Sequence, residues 1–380
     1  MGVMVHDILH HVDHTNWSSP GDFLLAAGQP ASPDLLIDQP NWSLYTLDRP
    51  TASALFVELP PELDLAHSAF VYNDQHRLAR RVMVVPFDQL ASLAARVTPP
   101  EKVIFLFSIG RCGSTLASNV LNEVPGVWGL SEPDAYSRLI MANYSDDQRL
   151  GYPRDQVVAL IRACTTLLFR PPAARKATVL AVKFRSQALF QADLYHQALP
   201  EAACVFLYRD ALGWANSFYR MARQYGFPPV LTGDRRRAMW NAVTAAEDLA
   251  LLRPYVDIDS AEVPMEDAFA PGWACNMAEY SSHLRAGVPF LALRYNEMNR
   301  DRVASLSHLF RHCGLPPEQA TRATAAFDHD SQAGTLVSRD NGVDGLAPAQ
   351  LARLRQILAR HPRFGDPDKL LPDIYTAQPE

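Results

Sequence analysis

From Lys102 onward, short wholly apolar runs alternate with stretches whose apolar residues recur at helical spacing. Val103-Ile-Phe-Leu-Phe107 reads as a strand buried on both faces, and Ser114 to Glu123 as an amphipathic helix after it. Val179-Leu-Ala-Val-Lys183 and Cys204-Val-Phe-Leu-Tyr208 are two further strands. Each leads into a helical pattern, Gln187 to Leu199 and Leu212 to Gln224. Val288-Pro-Phe-Leu-Ala-Leu-Arg294 adds a later strand. Apolar strands separated by helices predict an α/β fold, a parallel sheet flanked by helices on both faces. Ligands of such sheets gather at the C-terminal ends of the strands.

Residues 1–98 follow a different pattern, with Pro- and Asp-rich turns between β-prone runs at Ser43-Leu-Tyr-Thr-Leu, Ala54-Leu-Phe-Val-Glu-Leu and Arg81-Val-Met-Val-Val. They predict a small N-terminal α+β accessory module that ends at the boundary signal Val97-Thr-Pro-Pro-Glu101, with residues 99–380 as the α/β domain. His6, His10, His11 and His14 fall at helical spacing, so a helix is expected there. With no fixed carboxylate or cysteine beside them, a solvated face is the plainer expectation than a metal site.

Composition adds mostly exclusions. A chain of 380 residues with 48% hydrophobic and 20% charged residues is an ordinary globular protein, long enough for one large domain and a module. A net charge of −6 leaves no electrostatic footprint for nucleic acid, and no nucleic-acid partner is expected. Nor is a membrane partner, since no apolar run approaches a span. The opening Met1-Gly-Val-Met-Val-His-Asp lacks a leader pattern, and the five cysteines are scattered with no CxxC pair. A cytoplasmic location is expected.

The most informative segment is Phe105-Leu-Phe-Ser-Ile-Gly-Arg-Cys-Gly-Ser-Thr-Leu116, a strand entering a Gly/Ser/Thr turn that opens a helix. Such a turn offers backbone N–H groups and a helix N-terminus to a phosphate. An ATP-hydrolysing loop of the Walker type ends in Lys-Ser/Thr. Here Gly113-Ser114-Thr115 has no lysine, and Arg111 stands earlier in the loop. Cys112 can be read as a thiol activated by the helix N-terminus, but a small residue fitting a tight turn explains it more simply.

Together with two later segments, this loop resembles the family of sulfotransferases that use the nucleotide PAPS. The resemblance runs roughly from Lys102 to Leu315 and rests on short motifs. Ser108-Ile-Gly-Arg-Cys-Gly-Ser-Thr115 is similar to the family's 5′-phosphosulfate loop, which implies a nucleotide site of Arg111, Cys112, Gly113, Ser114, Thr115 and Leu116. Cys204-Val-Phe-Leu-Tyr-Arg-Asp-Ala-Leu-Gly-Trp-Ala-Asn-Ser-Phe-Tyr-Arg220 is similar to its 3′-phosphate motif, with Arg209 at a strand end and Ser217 about two helical turns on. Arginine suits that task because its fork binds phosphate oxygens in pairs. Ala211 stands where the family often has proline. Leu293-Arg-Tyr-Asn-Glu-Met-Asn-Arg300 resembles a third segment and would bring Tyr295 near the nucleotide, although a core tyrosine is an equal reading. Ser338-Arg-Asp-Asn-Gly-Val-Asp-Gly345 loosely resembles a late loop closing over the 3′-phosphate, which makes Arg339 a candidate ligand.

Sulfuryl transfer needs a base for the acceptor and charge stabilisation on the leaving phosphate. Many cytosolic members use a histidine in a Lys-x-His segment. Val182-Lys-Phe-Arg-Ser186 keeps the lysine, Lys183, without the histidine. Glu132, in Trp128-Gly-Leu-Ser-Glu-Pro-Asp134, follows Arg111 at the spacing of the catalytic glutamate in the tyrosylprotein sulfotransferase pattern. The resemblance therefore implies Glu132 as general base, Lys183 as leaving-group acid and Arg111 as charge stabiliser, with Asp134 as the second candidate base. The plainer reading of Glu132 is an ion-pair partner for Lys183 or Arg185. PAPS would be the co-substrate and PAP its product, with no metal required. The acceptor is a small molecule or a peptide carrying a hydroxyl or an amine. Aromatic residues at Trp214, Phe218, Tyr219, Tyr225, Phe227 and Trp240 line its cleft or, for most of them, belong to the core. The N-terminal module is open to three uses: shaping the acceptor pocket, forming a homodimer, or binding a carrier. The rival readings are a P-loop kinase or NTPase and a binding protein without catalysis. A transfer that only activates a leaving group for elimination is a third.

Overall fold

The computed structural model describes residues 2–13, 17–141, 152–234, 236–237, 255–257, 259–332, 335 and 343–374. Thirteen strands are described in chain order, and two sheets hold eleven of them. The chain forms two compact units, residues 1–106 with 117–204, and residues 107–116 with 205–380.

The N-terminal sheet contains β1 (Met4–His11), β2 (Phe23–Leu25), β3 (Gln29–Pro30), β4 (Trp42–Asp48), β5 (Ser53–Glu58) and β6 (Arg81–Pro86). Its order is β2-β1-β6-β5-β4, with β3 on β1, and the paired strands run antiparallel. The three β-prone runs read from the sequence lie in β4, β5 and β6. Leu44 opposes Phe56, which opposes Met83, and all three are buried. This antiparallel module belongs to the first unit together with residues 117–204.

The histidine-rich start is a correction. Met4–His11 is a strand, paired on one edge with β6 and on the other with β2 and β3. Pairing on both edges overrides the local helical spacing. A strand places His10 and His11 on opposite faces, which disperses the set that a helix would have aligned. His6 Nδ1 is 3.0 Å from the Ala26 carbonyl and His11 Nδ1 is 2.7 Å from that of His76, while His14 lies outside the described residues.

The second sheet holds β7 (Lys102–Ser108), β8 (Val127–Ser131), β9 (Val179–Lys183), β10 (Ala203–Tyr208) and β13 (Phe290–Arg294), in the order β13-β10-β7-β9-β8. It is the parallel sheet flanked by helices that the apolar runs predict. Lys102–Leu106 pairs with Val179–Lys183, and Val127–Ser131 with the same residues of β9 from its other edge. Every residue of β7 from Val103 to Ser108 is buried, as a central strand covered on both faces requires. Helices run at Ser114–Asn122, Ala192–Ala198 and Ala211–Gln224, close to the expected spans; the first part of the Gln187 to Leu199 stretch is 3-10 helix, Ser186–Gln191. The chain leaves β7 for the β9-β8 side and later returns to place β10 on the other side. The change of direction between β7 and β10 is where open parallel sheets bind ligands. The short pair β11 (Val230–Thr232) and β12 (Glu262–Pro264) stands apart.

Candidate active site

The loop after β7 is held in its turn by its neighbours in the second unit. Ile109 N–H donates to the Leu207 carbonyl at 3.3 Å, and the Trp214 indole donates to the Ile109 carbonyl at 3.1 Å. Gly110, Arg111 and Gly113 have φ of 68°, 51° and 81°. For Arg111 that left-handed backbone costs about 1–3 kcal/mol, strain of the kind that clusters at functional sites. Gly113 is required twice over: by its φ, and because a Cβ there would stand 2.5 Å from the Tyr295 ring. The helix Ser114–Asn122 starts immediately after it, so Ser114 and Thr115 present their hydroxyls where the helix begins.

The loop after β10 brings the second cation. Asp210 caps the helix Ala211–Gln224 through Gly213 N–H at 2.7 Å, and the Trp273 indole holds the Arg209 carbonyl at 2.9 Å. The Arg209 guanidinium lies 4.8 Å from the centroid of Tyr295 and against Gly213, where a Cβ would come within 2.6 Å of Nε. That Nε is buried and has no hydrogen-bond partner among the described residues; the nearest carboxylate oxygen, of Asp210, is 3.8 Å away.

Arg111, Gly113, Ser114, Thr115, Leu116, Arg209, Ser217 and Tyr295 line one cavity of about 150 Å³. Arg111 donates from Nε to Ser217 Oγ at 3.2 Å and from a terminal nitrogen to Gln332 Oε1 at 2.8 Å. Burial lowers the proton affinity of Arg111, and the Arg209 charge pushes the same way, against Cys112, Tyr225 and Asp330. Two cations, Arg111 with its hydrogen bonds among the described residues going to neutral groups, outnumber the single carboxylate of Asp330 in this cavity and fit it to an anion. Three lining residues, Asp330, Ser331 and Gln332, were not read from the sequence, where Asp328-His-Asp-Ser-Gln332 carries no motif.

Cys112 does not line the cavity: it is fully buried, and its thiol points to the Leu207 carbonyl at 3.2 Å. Arg339 and Trp240 lie outside the described residues. Trp214 is core, packed against Phe218 and Phe269 with ring centroids 5.3 and 5.9 Å away, whereas Tyr225 and Phe227 are exposed.

Glu132 and Lys183 belong to the first unit. Glu132 follows β8 directly, with φ 56°, and its N–H donates to the Lys183 carbonyl at 2.7 Å. Lys183 is the last residue of β9, and its ammonium is bonded to Glu132 Oε1. The ion pair that the plainer reading expects is therefore present. Asp134, the second candidate base, is corrected to an anchor. It is 1% exposed and accepts two bonds from Arg185, at 2.7 and 3.1 Å, and one each from Ser18 N–H and Ser137 Oγ at 2.8 Å. Its acceptor capacity is spent on protein partners. Arg185 stays firmly protonated despite its burial, because the carboxylates of Asp134 and Glu132 outweigh the desolvation. Among the described residues no three His, Cys, Asp or Glu side chains gather as a metal would require, and no helix is long and apolar enough to cross a membrane.

No protein-family model and no curated protein matches the chain. Several solved structures do share a similar arrangement. A sulfotransferase from Alicyclobacillus acidocaldarius is 14% identical, with a TM-score of 0.40 over 69% of this chain and 91% of that one. A sulfotransferase from Mycobacterium avium is 13% identical, with a TM-score of 0.41 over 72% and 77%. A mouse sulfotransferase complexed with PAP is 14% identical, with a TM-score of 0.36 over 73% and 89%. Likeness at that level carries no functional conclusion.

Proposed function

We propose that this chain transfers a sulfuryl group from PAPS to a hydroxyl or amine of an acceptor. The observation that carries the reading is the convergence of Arg111 and Arg209 on one cavity with the Ser114–Thr115 helix start and Ser217. The loop Arg111–Thr115 would bind the 5′-phosphosulfate, and Arg209 with Ser217 the 3′-phosphate. Arg111 now bonds to neutral Ser217 and Gln332 oxygens. Phosphate oxygens replace them with charge-assisted bonds, roughly twice as strong as neutral ones. Tyr295, stacked on Arg209 and packed on Gly113, sets the distance between the two cations.

In the proposed reaction the acceptor oxygen or nitrogen attacks sulfur as its proton passes to Glu132. The bond from sulfur to the bridging oxygen breaks in line, and PAP leaves with Arg111 balancing its charge, Lys183 being the leaving-group acid that the family resemblance implies. If Lys183 serves as the leaving-group acid, its ammonium gives up Glu132 Oε1, and the carboxylate is then free for the acceptor proton. A loop lacking the Gly-Lys-Ser/Thr ending gives no support to ATP hydrolysis.

The test is ligand stabilisation followed by transfer. PAP at about 100 times its Kd should stabilise the fold by about 2.7 kcal/mol, and ATP with Mg²⁺ should not. PAPS with pooled metabolites should then yield a product heavier by one SO₃ group. Stabilisation by ATP alone would return the chain to the kinase or NTPase reading.

A further inference from the structure

Glu132 has two cationic neighbours that are held in different ways. Lys183 reaches Oε1 on a flexible stem, with its ammonium 5.7 Å from the Phe70 ring. Arg185 is fixed. Its guanidinium lies 4.5 Å from the centroid of Trp17 and 4.2 Å from that of Tyr72. On its edge Asp134 takes two bonds, and Asp134 is itself held by Ser18 N–H. The Ser18 carbonyl in turn accepts from Arg138 at 2.6 Å and Thr46 at 3.1 Å. So locked, Arg185 Nε stays 3.8 Å from Glu132 Oε2, too far for a hydrogen bond and near enough for strong charge attraction.

On the reading of Glu132 as the base, Lys183 leaves it during the reaction, and a carboxylate whose side chain is 14% exposed would lose its counter-charge. We infer that Arg185 is a positioning residue for Glu132: clamped by Asp134 and sandwiched by Trp17 and Tyr72, it holds the carboxylate in place and charge-compensated while Lys183 is engaged elsewhere. Trp17, Ser18 and Tyr72 all come from the first 98 residues. The N-terminal module thereby has a part in catalysis, supplying the walls that fix a catalytic neighbour.

The test compares R185Q, R185K, W17L and E132Q in the full chain. Turnover of radiolabelled PAPS is measured with pooled acceptors, alongside PAP titration and melting temperature. R185Q should lower kcat about 100-fold, with KM for PAPS and the affinity for PAP within about threefold of the parent. R185K, which keeps the charge, should regain about tenfold of that loss, and W17L should lose several-fold in kcat alone. Normal kcat in R185Q overturns the inference, as does a loss that R185K leaves unrelieved or that PAP affinity shares. Should R185Q not fold, W17L decides, and an unchanged kcat there overturns it. If E132Q turns over normally, or the parent transfers no sulfuryl group, the base reading itself falls and the inference with it. A dead E132Q beside a normal R185Q removes the inference alone.

Discussion

The two charged clusters are built on opposite plans. Arg111 donates to the neutral oxygens of Ser217 and Gln332, Asp330 is the one carboxylate lining the cavity among the described residues, and a tyrosine ring covers the Arg209 guanidinium. The nearest acid to Arg209, Asp210, spends one oxygen on a helix cap and stands 3.8 Å off. Around Lys183 and Arg185 each cation has a carboxylate within bonding distance. The difference teaches what each cluster is for. Half-buried cations that outnumber the carboxylate beside them keep attraction for an anion, whereas matched pairs are already neutral and fix geometry; on the proposed reading they would also move a proton. The strained backbone follows the same division, with one left-handed non-glycine residue in each cluster, Arg111 and Glu132.

The sharpest way to break the comparison is E132Q. It should lower turnover about 1000-fold while PAP binding is kept, because the matched cluster would supply the base and the unmatched one the nucleotide site. Comparable turnover in both proteins would remove Glu132 from the chemistry. Next is R209M, which should weaken PAP about 100-fold, near 3 kcal/mol, through loss of charge-assisted bonds. Calorimetric affinities read that change, and an unaltered Kd would take Arg209 out of the nucleotide site.

G113A comes third. A methyl there meets the Tyr295 ring on a backbone with φ 81°, so stability should drop by about 2–4 kcal/mol, measured by urea unfolding with and without PAP. The smallest effect belongs to C112S. A serine hydroxyl can still donate to the Leu207 carbonyl, so turnover should stay within about threefold and stability within about 1 kcal/mol. Loss of turnover with a native melting curve would restore the nucleophile reading of Cys112.

What the sequence discloses follows the range of the forces involved. The loop of β7 and the Arg209–Ser217 segment are legible because an apolar strand, a glycine turn and a helix start lie side by side in the chain. Arg111 and Ser217 meet because two such local units abut in one sheet. The histidine-rich start misleads, since its spacing is local and the pairing of Met4–His11 with Arg81–Pro86 is not. Asp330, Ser331 and Gln332 are invisible beforehand, carrying no motif and reaching the cavity only through the tertiary fold. Arg185 is legible only as an ion-pair partner of Glu132; its aromatic and acidic partners come from three separate stretches, at Trp17, Tyr72 and Asp134. Tyr295, open at first between core and ligand site, stacks on Arg209 and lines the cavity.

Isothermal titration of the full chain with PAP tests the anion cavity most directly. One molecule should bind per chain with a heat that R209M greatly weakens and E132Q leaves in place. No heat with the parent protein, or equal binding by R209M, would contradict the assignment of Arg111 and Arg209 to one nucleotide.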